Sequence, residues 1–495
     1  MRVCRHLAAA IAALGLLLVS LSMASTALAA GPTQAGDDGQ GLTAAQRHDL
    51  QAIAARTWRF YGAAVGTTSL PADNVSDVAG PPPGTYTSPT DIGVYLWSIV
   101  AARDLQLIDG REATARATAT LTAIEHLRKW EGFLLSWYDT TTAGPITGPG
   151  GSPIPDSASL DGQFISNVDN AWYASALVIV RQAFPSLWSR ATKLLDAMNF
   201  GTFYDAGDQS TSITAGQQYG GFIAGQGPAT FHYGVLNTET RIGAYVGIGT
   251  HTMPGDVWWR TWRTLPAEQT YQTQVPQGYP VTIGDPQSGK QFTVFEGHYS
   301  YGGIRYAPSW GGSEFEGLMD NLIIPETAWG PRGFGANDRD YALTEIAYVN
   351  QVLHYPVWGL SPASTPDDTG NYLAYGVNPL SSNAGCCPYD VGAVTPHASF
   401  IALPVIPQQA YRNITTLRQR FPGIYGRYGF YDSVDPTTGQ MTHRYLDLDQ
   451  SMIMAALDQV LNSGGLQRYY TADAVGKQVR PYLAIERMSV TQPDE

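Results

Sequence analysis

Apolar residues return at helical spacing in one segment after another of this chain. Ile92, Tyr95, Leu96 and Ile99 share a face behind Ser88-Pro-Thr-Asp91, where Ser is an N-cap, Pro takes the first helical position and an acid sits in the first turn. The same period predicts helices over residues 43–61, 111–129, 169–184, 185–199, 238–248, 315–324, 338–354, 396–403, 407–421 and 449–462, with Trp172, Tyr173, Ala176, Leu177 and Val180 as the stripe of the third. Two-residue alternation is scarce. It is clearest between residues 271 and 306, where Val281, Ile283, Phe292, Val294 and Phe295 between turn residues predict a β-hairpin excursion.

Roughly ten to twelve helices joined by long Gly/Pro/Tyr-rich loops are too loosely connected for a plain bundle. Paired helices with elaborate loops on one side predict an all-α fold, an (α/α)6 toroid. No linker of biased composition interrupts residues 43–495, so a single domain is expected there.

The N-terminus reads as an address. Arg2, Arg5 and His6 precede a short apolar run over residues 7–21, and Ala27-Leu-Ala29 offers small residues for cleavage. Residues 1–30 are therefore expected to be a signal peptide and 31–42 a flexible segment, with the remainder secreted. Cys4 lies in the basic region and not at the cleavage position, so a lipid anchor is not indicated. No later apolar run is long enough to predict a membrane span.

Of the 495 residues, 44% are hydrophobic and 14% charged, which is ample material for a core. A net charge of −13 argues against nucleic acid and anionic membranes as partners and leaves a neutral polymer as the natural one. Twelve Trp and 28 Tyr supply rings with polar edges, suited to sugar faces as well as to a core. A monomer or small homo-oligomer is expected. Cys386 and Cys387 are adjacent in Gly385-Cys-Cys-Pro-Tyr389, so they either close a vicinal disulfide or remain two buried thiols. No His or second cysteine pair stands at ligand spacing from them. The acids Asp367-Asp368 and Asp447/Asp449 lack a calcium-loop pattern, so no metal and no cofactor is expected.

The candidate chemistry lies in two acidic phrases. Ser309-Trp-Gly-Gly-Ser-Glu-Phe-Glu-Gly-Leu-Met319 holds Glu314 and Glu316 among glycines, and Leu236-Asn-Thr-Glu-Thr-Arg-Ile242 holds Glu239. Glycosidic cleavage needs one protonated and one ionised carboxyl, which such a pair can supply. Gly311 and Gly312 allow close backbone approach and Trp310 a stacking face. An ordinary helix acid is the alternative for Glu316, and a dipole-stabilised first-turn acid for Glu314. Asp169 and Asn170 open a helix, so they either cap it or contact sugar hydroxyls. Gly-x-Ser-x-Gly, His-Glu-x-x-His, Walker and dinucleotide signatures are missing.

These phrases, together with Tyr355-Pro-Val-Trp-Gly-Leu-Ser361, Val394-Thr-Pro-His-Ala398, Tyr428-Gly-Phe-Tyr-Asp-Ser433 and Leu446-Asp-Leu-Asp-Gln450, resemble the glucoamylase-like domain of β-1,2-glucan-active proteins. The likeness is to the transglycosylating C-terminal domain of cyclic β-1,2-glucan synthases and, more distantly, to endo-β-1,2-glucanases. It implies an (α/α)6 barrel, a glycoside hydrolase or transglycosylase activity, Glu239 as acid/base and Glu316 as nucleophile. Arg241, Trp310, Trp358, His397 and Gln450 are then expected near the sugar, with Asp449 as reserve base for an inverting reaction. The chain departs from the pattern at Glu314, where a methionine is common, and some relatives invert. Arabinans and α-glucans remain alternative substrates, and a non-catalytic glycan-binding protein the alternative class.

Overall fold

The computed structural model describes residues 41–78 and 84–491, so the expected signal peptide and nearly all of the segment at 31–42 lie outside the described residues. Twelve helices build the body: α1 Ala44–Thr57, α2 Pro89–Asp104, α3 Gly110–His126, α4 Asn167–Ala183, α5 Trp188–Asp196, α6 Arg241–Gly249, α7 Glu314–Leu318, α8 Phe334–Tyr348, α9 Pro396–Ile401, α10 Pro407–Arg420, α11 Asp447–Leu461 and α12 Ala474–Ile485. The capping signals at the first two helices hold. Thr43 and Ser88 both form capping boxes, with Gln46 and Asp91 as the reciprocal partners.

Burial divides the twelve into two sets. α2, α4, α6, α7, α9 and α11 are buried on nearly every face, α6 along its whole length, whereas α1, α3, α5, α8, α10 and α12 bury one side. The inner helices neighbour one another in chain order, α2 with α4, α4 with α6, α7 with α9, α9 with α11, and α11 back on α2. Each has an outer partner: α3 on α2, α5 on α4, α8 on α7, α10 on α9 and α1 on α11. Two pairings are not local: α1 meets α11 across most of the chain, and α6 takes as its outer partner the C-terminal α12, more than two hundred residues further on. Periodicity did not reveal α12; it carries Pro481 within its length, which weakens the helical signal.

Between α6 and α7 the chain makes the expected excursion. β1, Gln277–Gly284, pairs antiparallel with β2, Gln291–Tyr301, Val281 opposite Val294, and β3, Ile304–Tyr306, extends the sheet. The remaining strands are two- or three-residue pairings that tie loops together. Asn74–Ser76 pairs with Arg444–Leu446 at the entrance to α11, and Phe164–Ser166 with Gly221–Ile223 at the entrance to α4. No helix among the described residues is long and apolar enough to cross a membrane.

Candidate active site

The N-terminal ends of α2, α4, α6, α7 and α11 line two cavities that share Glu239. Asp91, Asp169 and Glu316 occupy the third helical position of α2, α4 and α7, Asp449 that of α11, and Glu239 lies just ahead of α6. A carboxylate there faces unpaired backbone N–H groups and the positive end of the helix dipole, which offsets part of its desolvation. Glu239 stands where two cavities meet. One, of about 450 Å³, is walled by Asp73, Asp91, Asp169, Trp137, Tyr372 and Arg444 among others. The other, of about 590 Å³, is walled by Tyr233, Trp262, Tyr271, Trp310, Glu316 and Tyr389 among others.

Glu316 is buried and held by a dense set of donors. Its Oε2 accepts from Ser309 Oγ at 2.8 Å, Gly311 N at 3.0 Å, Ser313 Oγ at 3.1 Å and Ser313 N at 3.2 Å. Oε1 shares the Gly311 N–H at 3.0 Å and otherwise meets only the Tyr389 hydroxyl, at 3.4 Å. Burial raises the pKa of Glu316, and the hydrogen bonds from Ser309, Ser313 and Gly311 pull it back by favouring the charged form. The glycines are required for this cradle. A Cβ on Gly311 would fall 1.9 Å from the Tyr389 ring, and Gly312 has φ +81° with the Val377 carbonyl 2.3 Å from where its Cβ would be. Tyr341 supports the arrangement from behind, donating to Ser309 Oγ at 2.7 Å or the Ser313 carbonyl at 3.0 Å.

Glu239 is in the opposite electrostatic condition. Its Oε2 is shut off from solvent with no hydrogen-bond partner. Burial, reinforced by the negative charge of Glu316, pushes its pKa up to about 8. The proton of the pair therefore belongs on Glu239 at neutral pH, and Glu316 carries the charge. In the first cavity, burial and the neighbouring Asp73 raise Asp91 well above the usual carboxylate range, and burial raises Asp73 too. Protonated carboxyls donate as well as accept hydrogen bonds, which suits hydroxyl groups better than cations.

Of the other residues expected to contact sugar, Asp169 and Trp310 do line the cleft. Asp169 accepts from Thr90 Oγ1 at 2.5 Å, and Trp310 is 39% exposed. Seven other candidate residues are not among the cleft-wall residues. Asn170 spends its amide on the backbone of Leu134 and Ser166. Trp358 packs in the core, 7% exposed. Gln450 is buried with Nε2 on the Phe430 carbonyl at 3.0 Å. Glu314 points into the interior beside Glu345, whose carboxylate takes the Gly359 and Leu360 N–H groups; burial and the Glu345 charge keep Glu314 protonated. His397 and Asp449 are buried together, Nδ1 to Oδ2 3.1 Å, with Asp432 completing the group, away from the residues that wall the two cavities. Burial holds His397 neutral, its pKa down at about 4, and burial and the Asp449 charge push Asp432 well above the usual carboxylate range; His397 Nδ1 and Nε2, Asp432 Oδ1 and Asp449 Oδ2 make no hydrogen bond.

Arg241 is the seventh, and its burial is complete. Its guanidinium takes Glu326 through Nε at 2.8 Å and Nη2 at 2.9 Å, and also reaches the carbonyls of Thr238 (2.9 Å), Glu316 (3.2 Å) and Gly317 (2.9 Å). It thus ties the segment carrying Glu239 to the helix carrying Glu316. The cysteines also differ from expectation: both are free, and both are exposed rather than buried. Asp73, Asp91, Arg444, Tyr372 and Tyr389 were not singled out from the sequence as cleft residues. From the sequence Asp91 is a first-turn acid, and the others lie in loops or in strands of two or three residues, too short to show periodicity.

The chain is similar to known proteins in sequence and in fold. Residues 236–474 match the Glycoamylase family model, described as "Putative glucoamylase". That region includes both Glu239 and Glu316. Residues 52–221 match a second model, DUF3131, for proteins of unknown function. The cyclic β-(1,2)-glucan synthase NdvB of Rhizobium meliloti is 24% identical over 86% of this chain, and the chain spans 18% of that relative's length. Among solved structures, an endo-β-1,2-glucanase from Chitinophaga pinensis, in complex with sophorotriose and glucose, superposes with a TM-score of 0.64 at 15% identity, covering 90% of this chain and 98% of that one. The endo-β-1,2-glucanase of Talaromyces funiculosus, in complex with sophorose, gives 0.61 at 12% identity, covering 88% of each chain. The fold is thus shared with these proteins, and the expected glucoamylase-like resemblance stands.

Two outcomes follow for the folded state. Arg241→Met leaves Glu326 buried without its cation and should cost about 3–5 kcal/mol, read as a lowered urea midpoint; Arg241→Lys, which keeps the charge but not the fork, should lie between. Equal midpoints for Lys and wild type would show that the carbonyl contacts contribute nothing. Second, burial raises Glu239 and Glu296 to about 8, and Glu345, Asp449 and Asp458 to about 7. Unfolded carboxyls titrate near 4, so the folded state keeps protons the unfolded state has lost, and stability falls as pH rises through 7 to 8. The melting temperature should be higher at pH 6.5 than at pH 8.5. His298 and His397, both lowered to about 4 by burial, oppose this only below about 6.5.

Proposed function

We propose that this chain is a secreted glycoside hydrolase or transglycosylase of (α/α)6 architecture that acts on a β-1,2-linked glucan by a retaining two-carboxylate mechanism. The observation that carries the reading is the contrast between the two acids: Glu316 held as a carboxylate by five donor groups, Glu239 kept protonated with an unpartnered oxygen at the junction of two cavities. The substrate class rests on the names of the relatives above. The inner and outer sets of six helices support the toroid, and the N-terminal pattern over residues 1–30 supports export.

In this reading a glycan lies through both cavities with the scissile bond at Glu239. Glu239 donates its proton to the departing glycosidic oxygen, and Glu316 attacks the anomeric carbon to form a glycosyl-enzyme. Oε2 of Glu316 takes four donors and acts as the anchor, while Oε1, with its one weak hydroxyl contact and the shared Gly311 N–H, is the attacking atom. Ionised Glu239 then activates water or the hydroxyl of a second sugar. Asp449, the other candidate base, is engaged by His397 and Asp432 and is not among the cleft residues, which favours double over single displacement.

Glu239→Gln and Glu316→Gln should each lower turnover of β-1,2-glucan at least about a hundredfold with the melting profile retained, and wild-type activity should fall as pH rises through about 8 as Glu239 loses its proton. A reducing-sugar assay across a polysaccharide panel checks both; near wild-type turnover in either variant removes that residue from its role, and glycan binding without turnover in the wild type would point to a non-catalytic protein. Proton NMR of the first product should show the retained anomer, with transfer products at high acceptor concentration. An inverted first product would remove Glu316 as nucleophile.

A further inference from the structure

The segment from Asn383 to Tyr389 joins the two exposed thiols to the wall of the cleft. The backbone N–H groups of Cys386 and Cys387 both donate to the Asn383 carbonyl, at 2.9 Å each. The Asn383 N–H donates to the Trp310 carbonyl at 3.2 Å. With its amide oriented to satisfy its neighbours, the Asn383 side chain accepts from Trp310 Nε1 at 2.9 Å and donates to the Cys387 carbonyl at 3.2 Å. Gly385 N meets the Tyr271 carbonyl at 2.6 Å, and Tyr389, two residues past the pair, abuts Gly311 and reaches Glu316. Trp310, Tyr271 and Tyr389 all line the larger cavity.

Adjacent cysteines are poor disulfide partners. Consecutive Cα atoms lie about 3.8 Å apart across a trans peptide, below the roughly 4.4 Å at which ordinary disulfides begin. Ring closure must therefore turn the peptide between them, at the cost of the Cys387 N–H contact to Asn383, and the resulting bond is strained and readily reduced. Such a pair is unsuited to permanent bracing and suited to reversible exchange.

We propose that Cys386 and Cys387 form a thiol–disulfide exchange site for small-molecule disulfides, whose oxidation releases Asn383 and so loosens Trp310 and Tyr389 at the cleft wall. One cysteine thiolate attacks the external disulfide, expelling one thiolate and leaving a mixed disulfide. The second thiolate attacks the protein sulfur of that adduct and expels the other half. The two cysteines are oxidised by two electrons, the external disulfide is reduced to two thiols, and the two cysteine protons end on those thiols or in solvent. The exchange chemistry stands independently of the activity proposed above; only its effect on glycan affinity rests on that reading.

The test equilibrates the full chain with defined ratios of reduced to oxidised glutathione. Intact mass should fall by two hydrogens as the ratio becomes oxidising and recover on reduction, with no lasting glutathione adduct. Hydrogen exchange over residues 383–389 should speed up in the oxidised form, and the tryptophan emission should shift in wild type but not in Trp310→Phe. On β-1,2-glucan, KM should rise roughly fivefold on oxidation, about the loss of one ring contact, while the Cys386→Ser/Cys387→Ser double variant stays at the reduced value under every ratio. Thiols that persist at all ratios, a glutathione adduct without ring closure, or ring closure with unchanged exchange and emission would each overturn the proposal. If the protein cleaves no glycan, mass, exchange and emission still decide it.

Discussion

The structure depends on one buried cation. Arg241 stands at the start of α6, which the long β excursion separates from α7 in the chain, and it holds the carbonyls of Glu316 and Gly317 on one side and of Thr238 on the other. Glu326 balances its charge through two hydrogen bonds, Asp320 stands 3.4 Å away, and Tyr245 adds a 2.6 Å contact to Glu326. A guanidinium suits this place because its planar fork can meet a carboxylate and several carbonyls together. The spacing of the two carboxyls, on which any glycosidic mechanism turns, is thus set by a residue that touches neither carboxyl.

A second constraint comes from the inner helices themselves. Their N-termini point into the same mouth, and three of the acids lining it occupy the third helical position. The dipole and free N–H groups make charge tolerable there, while burial and mutual repulsion push it away, so small local differences decide which acid keeps its proton. Glu316 gains five donor groups from its own loop and Tyr389, whereas Glu239 gains none on Oε2. Two carboxyls of the same chemical type thereby acquire opposite protonation. The Asn383–Tyr389 segment is the outermost layer of this support, bracing Trp310 and Tyr389 from the solvent side.

Much of this was legible in the sequence because the signals are local. Capping residues and helical periodicity placed most of the ring helices, the alternation around Val281 and Val294 placed the hairpin, and the glycine-rich phrase around Glu316 marked a strained loop before a helix. The helix-start position misled for Asn170, and the family resemblance for Arg241, Trp358, His397 and Gln450. A polar or aromatic residue at the start of a helix looks alike whether its side chain turns toward the cleft or into the core, and each of these turned inward because a backbone carbonyl, a carboxylate or an apolar wall was waiting there. Glu314 and Glu316 are two residues apart, roughly 200° around a helix, so only one can face the cleft.

The sequence by itself determined the helices, the hairpin and the two acidic phrases, since caps, periodicity and turn residues act over a few neighbours. The tertiary structure alone decided that α12 closes on α6, that Asp73, Asp91 and Tyr389 join the cleft, and which carboxyl holds the proton. Those outcomes depend on desolvation and on donors arriving from distant segments, and such quantities exist only once the chain has folded around them.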